Sequence, residues 1–510
     1  MTGLVFNRMT AITPTEPLPI QRTIILWQVF TQRIEPLVRI MYRWVVEDLR
    51  TRSTSMELQT SLTPAERALI MAVCYTSVNS LTNDECRSML QLERATLLTE
   101  CRFQCEDALV HTNMFCMTDL NVIRAVVFYI MGSFDRVSTH SLWSLLGMTI
   151  RNAEKLGLHR DGAVLGLSPM ATEERRRLWW QLQHLDLGAA VRMGLTPMTL
   201  TAGWDVKMPL NIEDEDLYAS STTAPPEKRG LTSLSYNLFT YWVLDQQRQN
   251  FLSKHGRFEL SWLTNSAMSS TTKDDMLSLL EDGVNRHFVQ FCDPINPLHV
   301  LLQLLTRSFI TNMQLRVMHG RACTQGDSEH RTILLNASMQ SLRYHIALMS
   351  QTSLSCYQWL TRVWFSWQAF MVVLVEASDT SNVVKAQELW DLLASVYASN
   401  ADMFDLADDR RRLQAAEHVV AAWKAYPGRF DGQLLRQPPF ILEVAQRLTT
   451  HRAGLDPGSM QPDYTPQEYK EEVLETPAEM PEGTFFDAEF DFEFDMELQD
   501  IDWSFWSSID

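Results

Sequence analysis

Residues Ser141–Gly194 read SLWSLLGMTIRNAEKLGLHRDGAVLGLSPMATEERRRLWWQLQHLDLGAAVRMG. Trp143, Leu146, Ile150, Ala153 and Leu156 recur here at intervals of three and four, which places them on one stripe of a helix with about 3.6 residues per turn. The spacing predicts a helix over Ser141–Leu158, about 27 Å long at ~1.5 Å per residue. Gly157 stands where a left-handed C-cap is expected. Ser168-Pro169 and Thr172 then introduce a second helix, Glu173–Arg192, whose acidic first turn suits the positive end of the helix dipole.

The same pattern extends in both directions. Ile24, Trp27, Phe30, Ile34, Leu37, Ile40, Met41 and Trp44 form a helical stripe over Thr23–Leu49, which Pro36 should kink or split. Thr63-Pro64-Ala65-Glu66 has the form of an N-cap, a first-turn proline and an acid at the third position, opening a helix through Ser80. Thr82 or Asn83 can cap the next, and Ala95–His111 and Leu120–Gly132 follow. Residues 195–218 read as an ordered loop. Ser220–Gly230 and Thr264–Asp275 read as exposed loops. Further helices are expected over 231–255, 276–289, 296–319, 329–350, 353–376, 382–400, 403–425 and 438–450. Strand alternation is nearly absent, no short repeat is evident and no coiled-coil heptad persists. The expected fold class is all-α.

Composition agrees. The 510 residues are 45% hydrophobic and 21% charged, enough apolar mass for a large core. Nineteen Gly and 20 Pro fall well below a usual combined level of roughly 12%. The formal charge of −18, from 62 acids and 44 bases, is unevenly spread. Residues 451–510 hold 17 acids against Arg452 and Lys470 alone, leaving 45 acids and 42 bases elsewhere. The body is therefore close to neutral, and the acidity belongs to a C-terminal segment. The start lacks a signal-peptide pattern, and no uncharged stretch approaches the ~20 apolar residues of a membrane span. These features point to an intracellular, soluble chain with no membrane partner.

Catalytic chemistry finds little support. The eight cysteines show no C-x-x-C, so a zinc site is not indicated; Cys101 and Cys105, at i and i+4, read as buried apolar thiols. His159-Arg160-Asp161 matches the catalytic tripeptide of protein kinases, but the Gly-rich loop, strand lysine and metal-binding D-F-G are missing. The tripeptide reads as a helix end instead. Asp274-Asp275 and Asp408-Asp409 lack the third acid of a diphosphate-binding D-D-x-x-D. The acidic run Glu213–Asp216 reads as a solvated loop; a magnesium-dependent helical enzyme using Asp214 and Asp216 is the rival reading. In Glu173–Trp180 the arginines are expected to face water, Glu173 or Asp186, with the tryptophans packed inward. No catalytic residue, cofactor-binding residue or metal ligand is assigned.

The run Ser141–Gly194, continuing through Pro197 and Asp205 to Pro209, Asn211, Asp214 and Asp216, closely resembles the middle homology region of fungal zinc-cluster transcription factors. Leu26–Ile40 and Glu66–Cys86 resemble the blocks that precede it. The resemblance implies an all-helical regulatory domain, a nuclear location and control of transcription of a metabolic or biosynthetic gene set, with no catalytic residues. Family members carry an N-terminal six-cysteine cluster holding two zincs. In this sequence no cysteine precedes Cys74, so no zinc cofactor is expected in this chain. DNA contact is expected through a partner or a module outside the sequence, homo- or heterodimer formation stays open, and a co-regulator or scaffold that never touches DNA is the alternative.

The C-terminal segment fits a regulator independently. After Lys470 there are 14 acids and no base. Phe485, Phe486, Phe490, Phe492, Phe494, Trp503, Phe505 and Trp506 are interleaved among them. Repelling carboxylates keep such a chain expanded and its aromatics wet, available for an apolar groove on a coactivator. Phe490, Phe492, Phe494, Trp503, Phe505 and Trp506 are the expected contacts with coactivators or the transcription machinery. The expected organisation is a leader, 1–22, an all-helical regulatory domain, 23–450, and an acidic aromatic tail, 451–510, read as disordered.

Overall fold

The computed structural model describes residues 18–134, 136–192, 197, 203–218, 220–253, 269–325, 328–361, 365–404, 410–426 and 437–454. The tail aromatics, Phe490 to Trp506 among them, lie outside the described residues. All regular structure among the described residues is helical, as the periodicity predicts. The chain divides into two compact units, the first reaching Val373 and the second beginning at Leu374.

The first unit opens with α1 (Ile20–Val29), which passes into a π-helical turn at Phe30–Ile34 and stops. Helix α2 (Arg43–Ser53) restarts after a break containing Pro36, so the single predicted stripe is split, as a helix-interior proline dictates. Helix α3 (Pro64–Asn79) begins with the full capping box: Thr63 accepts from the Glu66 N–H, and Glu66 reaches back to the Thr63 N–H. Thr82 and Glu85 repeat the device at α4 (Asn83–Leu90). Helices α5 (Arg94–Val110) and α6 (Leu120–Ser133) flank α3.

Helices α3 and α6 are apolar almost all round, and from Val122 to Ser133 every residue of α6 is buried. A helix with that composition belongs at the centre of a large core. Its few hydroxyls are satisfied locally: Thr76 donates to the carbonyls of Ala72 and Phe128, 2.9 and 2.7 Å away. The Tyr75 ring occupies the space a side chain on Gly132 would need. Cys74, Cys101 and Cys105 are buried in this core, and burial pushes the Cys101 thiol up to about 12. They pack as buried free thiols, as expected of cysteines that lack a metal-ligand pattern.

Helix α7 (Thr139–Lys155) follows, capped by the Ser138 hydroxyl. It ends at Leu156, with Gly157 at φ +75° supplying the left-handed step. Helix α8 (Pro169–Arg192) packs along α7. It starts a turn earlier than the acids suggested, because the Ser168 hydroxyl accepts the Ala171 N–H and Pro169 takes the first helical position. The unit continues through α9 (Ser235–Ser253), α10 (Ser270–His287), α11 (Pro297–Gln325), α12 (Ser328–Ser350), the short α13 (Gln358–Thr361) and the start of α14 (Trp367–Asp379). Thr271–Asp275, expected in a loop, is helical: Ser269 caps α10 through the Thr272 N–H. Helices α11 and α12 lie against each other, linked by Ser341 donating to Asn312.

In the second unit α15 (Val383–Ser399), α16 (Arg410–Ala425) and α17 (Pro439–Gly454) form a small bundle. Trp390 meets Trp423 edge to face at 5.2 Å, and Tyr397 stacks on Phe440 at 4.8 Å. No helix among the described residues is long and apolar enough to cross a membrane.

Candidate functional site

The loop after α7 and the first two turns of α8 meet in a buried ionic clasp. Asp161 accepts Arg176 through both oxygens, at 2.8 and 2.9 Å, and the same guanidinium donates to Glu173 at 2.6 Å. The side chains of Asp161 and Glu173 are 1% exposed and that of Arg176 8%. Buried charges persist only when their remaining hydrogen-bonding capacity is filled, and here the backbone fills it. The N–H groups of Lys207 and Ala163 donate to Asp161, and that of Leu210 donates to Glu173. Burial alone would raise the Asp161 carboxyl; the Arg176 and Lys207 hydrogen bonds outweigh it and hold the group below the ordinary aspartate value.

Asp205 extends the clasp outward. It accepts Arg160 at 2.8 Å and the Asp161 N–H at 2.7 Å, while its own N–H donates to the His159 carbonyl. The tripeptide His159-Arg160-Asp161 therefore does more than end a helix. Its two charged members anchor the run 203–210 against α8. Gly162 follows because a Cβ there would lie 2.8 Å from the Thr172 Cα, closer than packed atoms tolerate.

A second buried pair lies one residue along α8. Arg177, 2% exposed, donates to Asp214 at 2.6 Å, and the other Asp214 oxygen accepts the Arg43 N–H at 3.0 Å. The Arg177 guanidinium lies 4.8 Å from the Tyr42 ring centroid, and the Tyr42 hydroxyl donates to the Met170 carbonyl. Three segments far apart in sequence, the start of α2, α8 and the 203–217 loop, are thereby joined. Glu213 is held by the Ser233 N–H and hydroxyl, and Asp216 by Lys228 at 2.7 Å.

The tryptophans complete the fastening. Trp179 and Trp180 are buried, as expected. Both meet Trp204 of the loop edge to face, at 6.0 and 5.2 Å, and the Trp180 N–H donates to the Lys207 carbonyl. The Arg248 guanidinium covers the Trp204 ring at 3.5 Å and donates to its carbonyl.

Two expectations are corrected here. Arg176 meets Glu173 as expected, and Asp161 besides, but Arg177 is buried and pairs with Asp214. The acidic run 213–216 is not a solvated loop: Asp214 is buried, and three of its four acids have partners on other segments or within the turn. Three successive arginines on a helix point about 100° apart. Beside two inward tryptophans at least one must point into the protein, a signal that an acid from elsewhere awaits it. Arg175 takes the outermost direction and donates to the Leu156 carbonyl.

Chemically the arrangement is a fastener. Asp161, Glu173, Asp205 and Asp214 each accept a guanidinium and a backbone N–H. Among the described residues no group of three or more His, Cys, Asp or Glu is placed to hold a metal ion.

The fastened segments all fall within residues 27–321, which match the fungal specific transcription factor domain. The chain belongs to that family. Curated relatives come from several fungi. The chain is 25% identical over 431 residues to the pyriculol/pyriculariol biosynthesis cluster transcription factor 1 of Pyricularia oryzae, covering 82% of this chain and 57% of that protein. It is 27% identical to the aurofusarin cluster transcription factor aurR2 of Gibberella zeae, covering 82% and 63%, and 26% identical to the transcriptional regulator AacuB of Aspergillus aculeatus, covering 81% and 56%. The chain thus spans about 60% of the length of these relatives. Within the domain the ionic clasp forms the centre of the α7–α8 region.

Proposed function

We propose that this chain is a nuclear transcription regulator of a biosynthetic gene set. Its helical body acts as the regulatory domain, and its acidic aromatic tail recruits coactivators or the transcription machinery. The observation that carries this reading is the domain match over 27–321, joined to relatives that are named as biosynthesis or aurofusarin cluster transcription factors. The clasp supports the regulatory half: its carboxylates are used in holding loop 203–217, so the body offers a fixed surface and no reaction centre. The sequence after Lys470 supports the recruiting half, with 14 acids, no base and eight aromatics.

The tail is expected to act when transplanted. Residues 451–510 fused to a neutral DNA-binding domain should raise reporter output well above the fusion partner alone. Changing the eight aromatics to Ala should abolish the rise while leaving the charge intact, because burial of aromatic side chains in a partner groove supplies most of the binding energy. No rise, or a rise that survives the alanine changes, contradicts the activation role.

A further inference from the structure

Among the described residues Cys116 is the exposed cysteine; Cys74, Cys86, Cys101 and Cys105 are buried, and Cys292 and Cys356 are half-buried. It ends the short 3-10 turn Met114–Cys116 between α5 and α6. The Lys155 ammonium, in the last turn of α7, donates to its sulfur at 3.0 Å although 39 residues separate them. Neighbouring contacts fix this meeting. Asn152, one turn before Lys155, accepts the Met117 N–H at 3.1 Å, and its own amide donates to the Met148 carbonyl at 3.0 Å. Among the described residues no carboxylate competes with the sulfur for Lys155. Phe115, Met148, Arg151, Asn152 and Lys155 line an open cleft of about 340 Å³, which admits a small solute to the pair from water.

A thiol held against a primary amine is a place where sulfur oxidation ends in a covalent bond to nitrogen. We propose that Cys116 and Lys155 form a peroxide-responsive crosslink, a sulfenamide that staples the 114–117 segment to the end of α7. In the first step the Cys116 thiolate attacks one peroxide oxygen. An S–O bond forms, the O–O bond breaks, and the released hydroxide takes a proton from the Lys155 ammonium to give water. Sulfur is oxidised by two electrons and the peroxide is reduced. The neutral Lys155 amine then attacks the Cys116 sulfur. The S–N bond forms, the S–O bond breaks, and the departing hydroxide leaves as water with the proton the amine gives up. In sum, thiol, amine and hydrogen peroxide give sulfenamide and two waters. A cellular thiol reverses the bond by attacking the sulfur and returning the amine, and a second thiol then frees Cys116. The consequence reaches the clasp: Lys155 is the last residue of α7, and the chain runs on through Leu156, whose carbonyl accepts Arg175, into His159-Arg160-Asp161. Both residues belong to the helical body, so the bond forms whatever the tail does.

Hydrogen peroxide added to the purified full chain, followed by peptide mass mapping, tests this. Wild type should give a linked peptide joining Cys116 to Lys155, about 2 Da lighter than the two peptides together, and dithiothreitol should abolish it. Peroxide should also raise the melting temperature by about 5 °C, because closing a loop of this length restrains the unfolded chain. Cys116→Ser and Lys155→Gln change exposed side chains, so both should fold with a midpoint close to wild type before oxidation. Neither should gain the linked peptide or the added stability. In Lys155→Gln the sulfenic acid has no amine to meet, so dimedone should label Cys116 about tenfold more than in wild type. Cys116 oxidised to sulfinic or sulfonic acid with Lys155 unmodified overturns the proposal. A disulfide from Cys116 to another cysteine, of the same copy or a second one, overturns it too, as does equal dimedone labelling of wild type and Lys155→Gln. With glutathione present beside the peroxide, Cys116 found only as a mixed disulfide overturns it in favour of a thiol-adduct site.

Discussion

Asp214→Asn is expected to destabilise the first unit by about 3–5 kcal/mol, the range found when one partner of a buried ion pair is removed. Asp214 receives two donors on its two oxygens, Arg177 at 2.6 Å and the Arg43 N–H at 3.0 Å. An amide can accept on only one of those oxygens, so its NH2 must face a donor. Arg177 cannot escape to solvent, because its side chain is 2% exposed and sits against Tyr42. A buried guanidinium without its counter-charge is the principal source of the loss. Adding Arg177→Met removes that charge and frees the amide oxygen to accept the Arg43 N–H, so it should return a large part of the stability. Urea unfolding followed by tryptophan emission reads both variants, since Trp179 and Trp180 lie on the next turns of α8. A single variant that unfolds with wild-type midpoint would show that the pair contributes nothing, and a double variant worse than the single would show that Arg177 is needed for something other than Asp214.

Asp161→Asn should cost about 3 kcal/mol at neutral pH, on the scale of hydrogen bonds to charged groups lost from a buried site. It should also change the acid profile. The Asp161 carboxyl titrates below its ordinary value of 3.8, so its unfolded form binds a proton more readily than its folded form. The stability it contributes is fully present above about pH 5 and is lost as pH falls through the ordinary aspartate range towards the lowered folded value. Asparagine has no such titration. The wild-type and variant stabilities should therefore converge between about pH 5 and pH 2, the wild type falling more steeply. Parallel acid profiles would mean that the Asp161 charge is not what holds Arg176.

Much of this architecture is legible locally in the sequence. Thr63 with Glu66, Thr82 with Glu85, Pro36 and Gly157 each set a helix boundary through contacts within four residues, and each behaves as its chemistry predicts. The segment 353–376 does not form the single helix its apolar content suggests. Residues 352–357 are 3-10 helix, and Ser366 caps a fresh start at α14 by accepting the Ala369 N–H. A serine amid aromatics is a boundary signal that hydrophobic periodicity overrides.

The clasp was less legible, and the reason is distance along the chain. Arg177 and Asp214 are 37 residues apart and Asp214 and Arg43 are 171 apart. Local charge pattern shows that Arg177 needs an acid but cannot say which of Glu173, Asp186 or Asp214 supplies it.

The central claim, control of a biosynthetic gene set, is tested most directly by measuring all transcripts in the parent fungus with and without this gene, under conditions in which it is expressed. Loss of the gene should lower together the transcripts of one group of biosynthetic genes while the bulk of the profile holds. An unchanged profile, in cells where the protein is demonstrably present, would contradict the account.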